Sequence, residues 1–151
     1  MTVDRKWGSA YLTQGFFPKL GEKLGEQVVL MLAYQGGTPV AGALNLLGAD
    51  TLFGRNWGCS ADFPFLHFEL CYYRAIDFAI ANGLAKVEAG AQGEHKIQRG
   101  YLPSTTYSAH WLAHPGLRRA VASFLVEERA EKLAQMEHLA GFSPYRRDGE
   151  D

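Results

Sequence analysis

Two cysteines and the lack of a long apolar run set the first limits on this 151-residue sequence. Cys59 and Cys71 are too few for a disulfide framework, and an intracellular chain with two cysteines usually keeps both as thiols. No apolar run approaches the roughly 20 residues that span a bilayer, so no membrane span is expected. The first ten residues are polar and contain no signal-like apolar stretch, which predicts a cytoplasmic protein.

The sequence also lacks an excess of charge of either sign. Fifteen Lys and Arg residues against sixteen Asp and Glu residues give a formal net charge of -1. General nucleic-acid binding needs a basic surface that displaces counterions, so we do not expect it. With 47% hydrophobic residues, a chain of this length has room for one domain with a core. We therefore predict a single domain over residues 1–140, followed by a charged tail over residues 141–151.

Several common catalytic motifs are missing as well. The sequence contains no phosphate-binding loop, no dinucleotide fingerprint, no HExxH or CxxC spacing and no G-x-S-x-G elbow. Five acidic or imidazole side chains could converge in space, but no pair has a recognised metal-ligand spacing, and we predict no metal site. These five residues are His67, Glu69, Glu88, His95 and His110.

Hydrophobic periodicity and turn residues predict an α/β (α+β) fold with a mixed, mostly antiparallel sheet and flanking helices. The most clearly marked feature is a hairpin around Gly36-Gly37, and Gly83 marks the end of the second helix. The predicted order is helix (11–24), strands (27–34, 40–47 and 51–57), helix (65–82), strand (86–91), loop, strand (105–112) and helix (115–139).

A first cluster of candidate functional residues lies at the end of the third strand, at Gly54-Arg55-Asn56-Trp57-Gly58. Glycines beside an arginine, ahead of a helix N-terminus, favour an anion such as phosphate or carboxylate. We assign Arg55, Trp57 and Gly58 to the binding of a cofactor. The alternative is a tight turn in which Trp57 packs as an anchor.

A second cluster lies on the first turns of the apolar helix. His67 and Glu69 are candidates for acid–base catalysis, and Tyr72 is a candidate substrate contact. Helical spacing predicts that His67, Cys71 and Arg74 share one face, and that Glu69, Tyr72 and Tyr73 share the adjacent one. The alternative is that Glu69 stabilises the helix dipole and His67 is a satisfied interior histidine.

A third cluster leaves the end of the fourth strand, where ligands often bind in such sheets. Lys96 and Arg99 could hold phosphate or carboxylate, and His95 is a third acid–base candidate. The alternative is a charged surface loop. The candidate substrate contacts outside the helix are Glu88, Gly90, Gln92, Gly93 and His110.

Four long runs at these residues resemble one bacterial family. They are DRKWGSAYLTQGFF (residues 4–17), PVAGALNLLGADTLFGRNWG (39–58), LHFELCYYRAIDFAI (66–80) and EAGAQGEHKIQRGYLP (88–103). The sequence resembles the FemAB-like predicted N-acyltransferases of peptidoglycan biosynthesis and recognition. Members of that family are more than twice this length, and this chain is similar to their C-terminal half.

The resemblance implies a GNAT-like acyl-CoA N-acyltransferase fold. It implies an acyl or aminoacyl transfer from acyl-CoA or aminoacyl-tRNA to an amine, with a peptidoglycan precursor or another small molecule as substrate. The donor pyrophosphate would bind between a central strand and the next helix, although the usual Arg/Gln-x-x-Gly-x-Gly/Ala signature is missing there. One alternative is a non-catalytic recognition module for a cell-wall precursor or a protein partner. Another is a homodimer that buries the surface which the other half of a longer family member would cover.

Overall fold

A computed structural model of the chain describes residues 12–90 and 94–145. The backbone forms two compact units, residues 1–91 and residues 92–151. Of the predicted features, Tyr11, Ala91, Gln92, Gly93 and the end of the tail lie outside the described residues. The first helix begins at Phe16, later than the predicted start at Tyr11.

The first unit contains a four-stranded sheet with helices. Its strands follow one another in the order β1-β2-β3-β4, the first two pairs being antiparallel and the third parallel. The mixed α+β class and the mostly antiparallel sheet are therefore confirmed. The elements are α1 (Phe16–Leu24), a 3₁₀ turn (Gly25–Gln27), β1 (Val28–Gln35), β2 (Thr38–Leu47), β3 (Thr51–Cys59), α2 (residues 66–81) and β4 (Lys86–Glu88).

A two-residue turn joins β1 to β2. Gly36 and Gly37 have φ of 57° and 80°, and Gln35 pairs with Thr38 across them. Two consecutive positive φ values are the requirement of the hairpin turn whose twist matches that of the strands, and glycine meets it without a steric cost. The predicted Gly-Gly hairpin is confirmed.

The core of this unit lies where α2 packs on one face of the sheet. Ala41 and Ala43 of β2 are buried against Leu70 of α2, with Trp57 and Met31 at the margin. Small side chains on β2 let the helix approach the sheet closely. This arrangement fixes which residues of α2 point inward and which remain available at its edge.

The opposite face of the sheet carries exposed apolar side chains. Leu30 and Leu32 of β1 are 58% and 46% exposed, and Phe53 of β3 is 40% exposed. Leu30 pairs with Leu44 and Leu32 with Gly42, so the two exposed leucines point to the same side of the sheet. The homodimer that would cover such a face remains a prediction.

The second unit begins with a 3₁₀ helix (Glu94–Arg99) and ends with α3 (Pro115–Ala140). His114 caps α3, because its Nδ1 accepts a hydrogen bond from the Leu117 N–H at 3.2 Å. Pro115 stands at the first helical position, as predicted.

The strand predicted over residues 105–112 is wrong. These residues form no regular element, and Tyr107 and Trp111 are 92% and 80% exposed. A strand needs a neighbour to pair its backbone groups, and within the described residues no strand pairs with this segment. Instead, Arg118 of α3 donates hydrogen bonds from Nε and Nη2 to the Leu112 carbonyl, at 2.9 and 2.7 Å.

Candidate functional site

The helix α2 is interrupted by a π turn. Leu66–Phe68 and Arg74–Ala81 are α-helical, and Glu69–Tyr73 between them forms a π-helical segment. The sequence pattern predicted a continuous α-helix, and periodicity alone does not distinguish the two. Single π turns inside α-helices are rare and occur frequently at functional sites. The π turn coincides with the second candidate cluster.

An ion cluster forms on the outer side of this turn. Arg74 donates from Nε to Oε1 of Glu69 at 2.7 Å, and its Nη2 lies 2.7 Å from the same oxygen. Its Nη1 contacts Oδ2 of Asp77 at 3.1 Å. The hydrogen bond from Arg74 to Glu69 is the main cause that raises the pKa of the arginine, followed by the charges of Glu69 and Asp77. The guanidinium therefore contacts the Glu69 carboxylate through one of its two oxygens, Oε1.

His67 lies in an aromatic cluster on another side of α2. Its ring stands edge-on to Trp57, with centroids 5.3 Å apart, and to Phe68 and Tyr72, each at 5.5 Å. Trp57 itself packs against the core of the first unit. The packing of Trp57 agrees with the alternative of an aromatic anchor.

The face assignments predicted for α2 are partly wrong. Arg74 lies with Glu69 rather than with His67, and Tyr72 lies with His67 rather than with Glu69. Both contacts join residues five apart, which a continuous α-helix would place about 140° apart around its axis. The π turn adds a residue to that turn and brings these pairs together.

A pocket of about 480 Å³ opens where the β1–β2 hairpin meets the start of α2. Its walls are mostly apolar and aromatic, and among the described residues that line it, Glu69 alone carries a charge. Tyr73 stands one turn after Glu69, so the predicted pairing of these two side chains on one face is confirmed. Principal lining residues are Ala33, Tyr34, Phe63, Phe65, Glu69 and Tyr73.

Phe65 at the mouth of this pocket has an unusual backbone. Its φ is 64°, in the left-handed region, and its side chain is 79% exposed. For a residue with a Cβ, this conformation costs about 1–2 kcal/mol. The Phe65 carbonyl accepts hydrogen bonds from the N–H groups of Phe68 and Glu69, at 2.9 and 3.2 Å, so the strained residue begins the helix.

The first cluster lies wholly within β3, so the alternative of a tight turn is wrong. The strand runs to Cys59, and Gly58 and Trp57 pair with Gly42 and Ala43 of β2. The glycine-rich run therefore makes sheet hydrogen bonds, and the connection to α2 begins only at Ser60. The side chain of Arg55 is exposed on this strand.

The end of β4 lies beside β3 in the same unit. Phe53 pairs with Glu88, and a Cβ built on Gly54 would lie 3.3 Å from the Glu88 carbonyl oxygen. Gly54 thus permits the close approach of the two strands. Gly90 has φ of 80° and begins the glycine-rich loop, of which Gln92 and Gly93 lie outside the described residues.

The third cluster continues in the second unit as the 3₁₀ helix. His95 is exposed, and its carbonyl accepts a hydrogen bond from Nη1 of Arg99 at 2.8 Å. Burial lowers the pKa of Lys96. A short helix rather than an open loop therefore carries the three side chains.

His110 is exposed, with its Nε2 at 2.9 Å from the Ser108 hydroxyl.

Comparison with models of known protein families identifies the family of this chain. Residues 1–147 match the model of the FemAB-like family, described as peptidoglycan biosynthesis/recognition. The chain belongs to the FemAB-like family. No curated protein and no solved structure matches it significantly.

Two further findings on this FemAB-like chain concern metal ions and membrane spans. Within residues 12–90 and 94–145, no group of three or more His, Cys, Asp or Glu residues lies together in a way that could hold a metal ion. In the same ranges, no helix is both long and apolar enough to cross a bilayer.

Both cysteines of the FemAB-like chain are free thiols, as predicted. Burial raises the pKa of Cys71 to about 11. A thiol with this pKa stays protonated at neutral pH and is a poor nucleophile. Cys71 is therefore a small packing residue of α2, where it adjoins the core.

Sequence reasoning missed two notable positions in the FemAB-like chain. Phe65 carried no signal, because a phenylalanine before a helix does not indicate a left-handed backbone. Asn45 of β2 is 1% exposed, next to a bulge between Leu44 and Asn45, and its Nδ2 donates to the carbonyls of Ala43 and Val29 at 3.3 and 3.4 Å. A polar residue inside an apolar strand was the available signal.

Proposed function

We propose that the chain is an N-acyltransferase that moves an acyl or aminoacyl group from a thioester or ester donor to an amine acceptor. The family is described by peptidoglycan biosynthesis/recognition, and a cell-wall precursor is the acceptor that agrees with this description. The single observation that carries the proposal is the pocket with one oriented carboxylate, Glu69, in an otherwise uncharged wall.

In this proposal Glu69 is the general base. Arg74 contacts Oε1, so Oε2 is the oxygen that accepts the proton from the amine. The amine nitrogen forms a bond to the donor carbonyl carbon, and collapse of the tetrahedral intermediate breaks the C–S or C–O bond. The proton passes from Glu69 to the leaving group.

The proposed fold is GNAT-like, and the β3–α2–β4 unit supports it. The parallel pairing covers three residues, from Thr51 with Lys86 to Phe53 with Glu88, whereas β3 continues to Cys59. The strands therefore part just where the candidate donor-binding residues Arg55, Trp57 and Gly58 lie. Separately, the assignment of Lys96 and Arg99 to phosphate or carboxylate binding stays a prediction.

The decisive variant is Glu69→Gln, assayed with acetyl-CoA, longer acyl-CoAs and aminoacyl-tRNA as donors and a lysine-containing peptide as acceptor. We expect kcat to fall at least about 100-fold, with an unchanged circular dichroism spectrum. Glu22→Gln is the matched control, because Glu22 is exposed on α1 and outside the pocket. Transfer that survives in Glu69→Gln would remove Glu69 from the mechanism.

A second candidate function is a recognition module without catalysis. It is favoured by the ion pair itself, since Arg74 engages the carboxylate that would act as the base. This alternative predicts that calorimetry detects binding of a peptidoglycan precursor while none of the donors is consumed. Consumption of a donor together with acylation of the acceptor amine would reject it.

A further inference from the structure

We infer that the pocket formed by Tyr34, Phe65, Tyr73 and Glu69 binds an alkylammonium group, a cationic amine on an apolar stem. The inference rests on the proposed function only in its last step, where the bound ammonium releases one proton to the solvent and the neutral amine becomes the acyl acceptor. The site and its ligand class follow from the walls, the charge and the backbone of the pocket.

The walls suit an apolar stem and a cation. Tyr34 is 60% exposed, Tyr73 47% and Phe65 79%, so three aromatic side chains at the pocket remain accessible to a ligand. Aromatic faces attract cations such as alkylammonium groups through the quadrupole of the ring. The remaining lining includes Ala33 and Phe63, which offer an apolar surface to methylene groups.

The charge selects a cation over an anion. Glu69 is the charged residue among the described residues of the lining. Its partner Arg74 is shared with Asp77, so two carboxylates surround one guanidinium and the cluster keeps one negative charge. An anion would be repelled by Glu69, and a neutral apolar group would leave it without a ligand contact.

The backbone of Phe65 is an independent indication of a ligand site. A phenylalanine held at φ of 64° with a largely exposed ring is not explained by burial of that ring. Strained backbone of this kind clusters at ligand-binding positions. Here the strain places an aromatic ring at the mouth of the pocket, directly before the π turn that carries Glu69 and Tyr73.

The test uses three probes of equal chain length at neutral pH: hexylamine, hexanol and hexanoate. Calorimetry or NMR titration of the purified chain is expected to give hexylamine a Kd about tenfold lower than that of hexanol, and the weakest binding for hexanoate. Glu69→Gln should abolish this preference, whereas Glu22→Gln, with the same change of charge, should keep it. Tyr73→Leu should weaken hexylamine binding and leave hexanol binding nearly unchanged.

Equal affinity for the three probes, or a preference that survives in Glu69→Gln, would overturn the inference. The circular dichroism spectrum shows whether each variant is folded, and Tyr73→Leu provides a second test if Glu69→Gln is not. The outcome is separable from that of the proposed function. Amine-selective binding without any transfer leaves this site intact and rejects the acyltransferase, whereas transfer without amine selectivity rejects this site alone.

Discussion

Glu69 and Arg74 form an ion pair across five residues of one helix, with Nε and Nη2 of the arginine both 2.7 Å from one carboxylate oxygen. Ion pairs on α-helices join residues three or four apart, and a separation of five would point the side chains away from each other. The π turn over Glu69–Tyr73 removes this difficulty. The π turn thus brings the carboxylate that lines the pocket and the guanidinium that contacts it to the same side of the helix.

A first prediction concerns the charge balance of this cluster. In Arg74→Ala the two carboxylates lose their cation, so hexylamine should bind several-fold more tightly, while transfer becomes slower because Glu69 is no longer held. Stability should change little, since the ion pair is exposed. Lys23→Ala, which removes one positive charge from α1, is the control and should alter neither property. Calorimetry and the transfer assay measure both, and weaker amine binding in Arg74→Ala would contradict the charge argument.

A second prediction concerns the strain at Phe65. Glycine adopts φ of 64° without a steric cost, whereas alanine adopts it at a cost, so Phe65→Gly should have a free energy of unfolding about 1 kcal/mol higher than Phe65→Ala. Both variants lack the ring and should bind hexylamine more weakly than the native chain. Urea unfolding measures the first difference and calorimetry the second. Equal stability of the two variants would mean that this backbone is not strained in solution.

A third prediction concerns Asn45. Asn45→Ala removes the amide that donates to the carbonyls of Ala43 and Val29 in a buried part of the sheet, and should cost about 1–3 kcal/mol of unfolding free energy. Asn82→Ala is the comparison, because that amide bonds the Phe78 carbonyl at an exposed helix end. Its cost should stay below about 1 kcal/mol. Urea unfolding measures both losses. Similar losses in the two variants would show that burial of Asn45 does not increase the contribution of its hydrogen bonds to stability.

A fourth prediction follows from the thiol of Cys71. Its pKa is raised from 9.0 to about 11 in the folded chain, so the folded state retains a proton that the unfolded state releases. This contribution to stability is complete below pH 9 and is lost as the pH rises from 9 towards 11. Urea unfolding across that range should show a steeper decline for the native chain than for Cys71→Ala. Cys59→Ala is the control, and its unfolding free energy should decline with pH as that of the native chain does. The prediction fails if the unfolding free energies of Cys71→Ala and the native chain decline with the same slope.

The sequence by itself determined the local elements and the family. Gly36-Gly37 specified a hairpin because few other residue pairs adopt its two positive φ values, and Gly83 marked the end of α2 for the same reason. The apolar runs of β1 and β2, the turns between strands and the long apolar helix indicated the mixed α+β class. Four quoted runs pointed to the FemAB-like family, which the family match confirms. Each of these signals is carried by residues close together in the chain.

Only the tertiary structure decided how those elements combine into a candidate site. The pocket joins Tyr34 of β1 to Glu69 and Tyr73 of α2, residues far apart in sequence whose meeting depends on packing. The π turn, the left-handed Phe65 and the unpaired segment over residues 105–112 leave no clear mark in the periodicity. Their energies depend on contacts from elsewhere in the chain, and such contacts override local propensity wherever the two disagree.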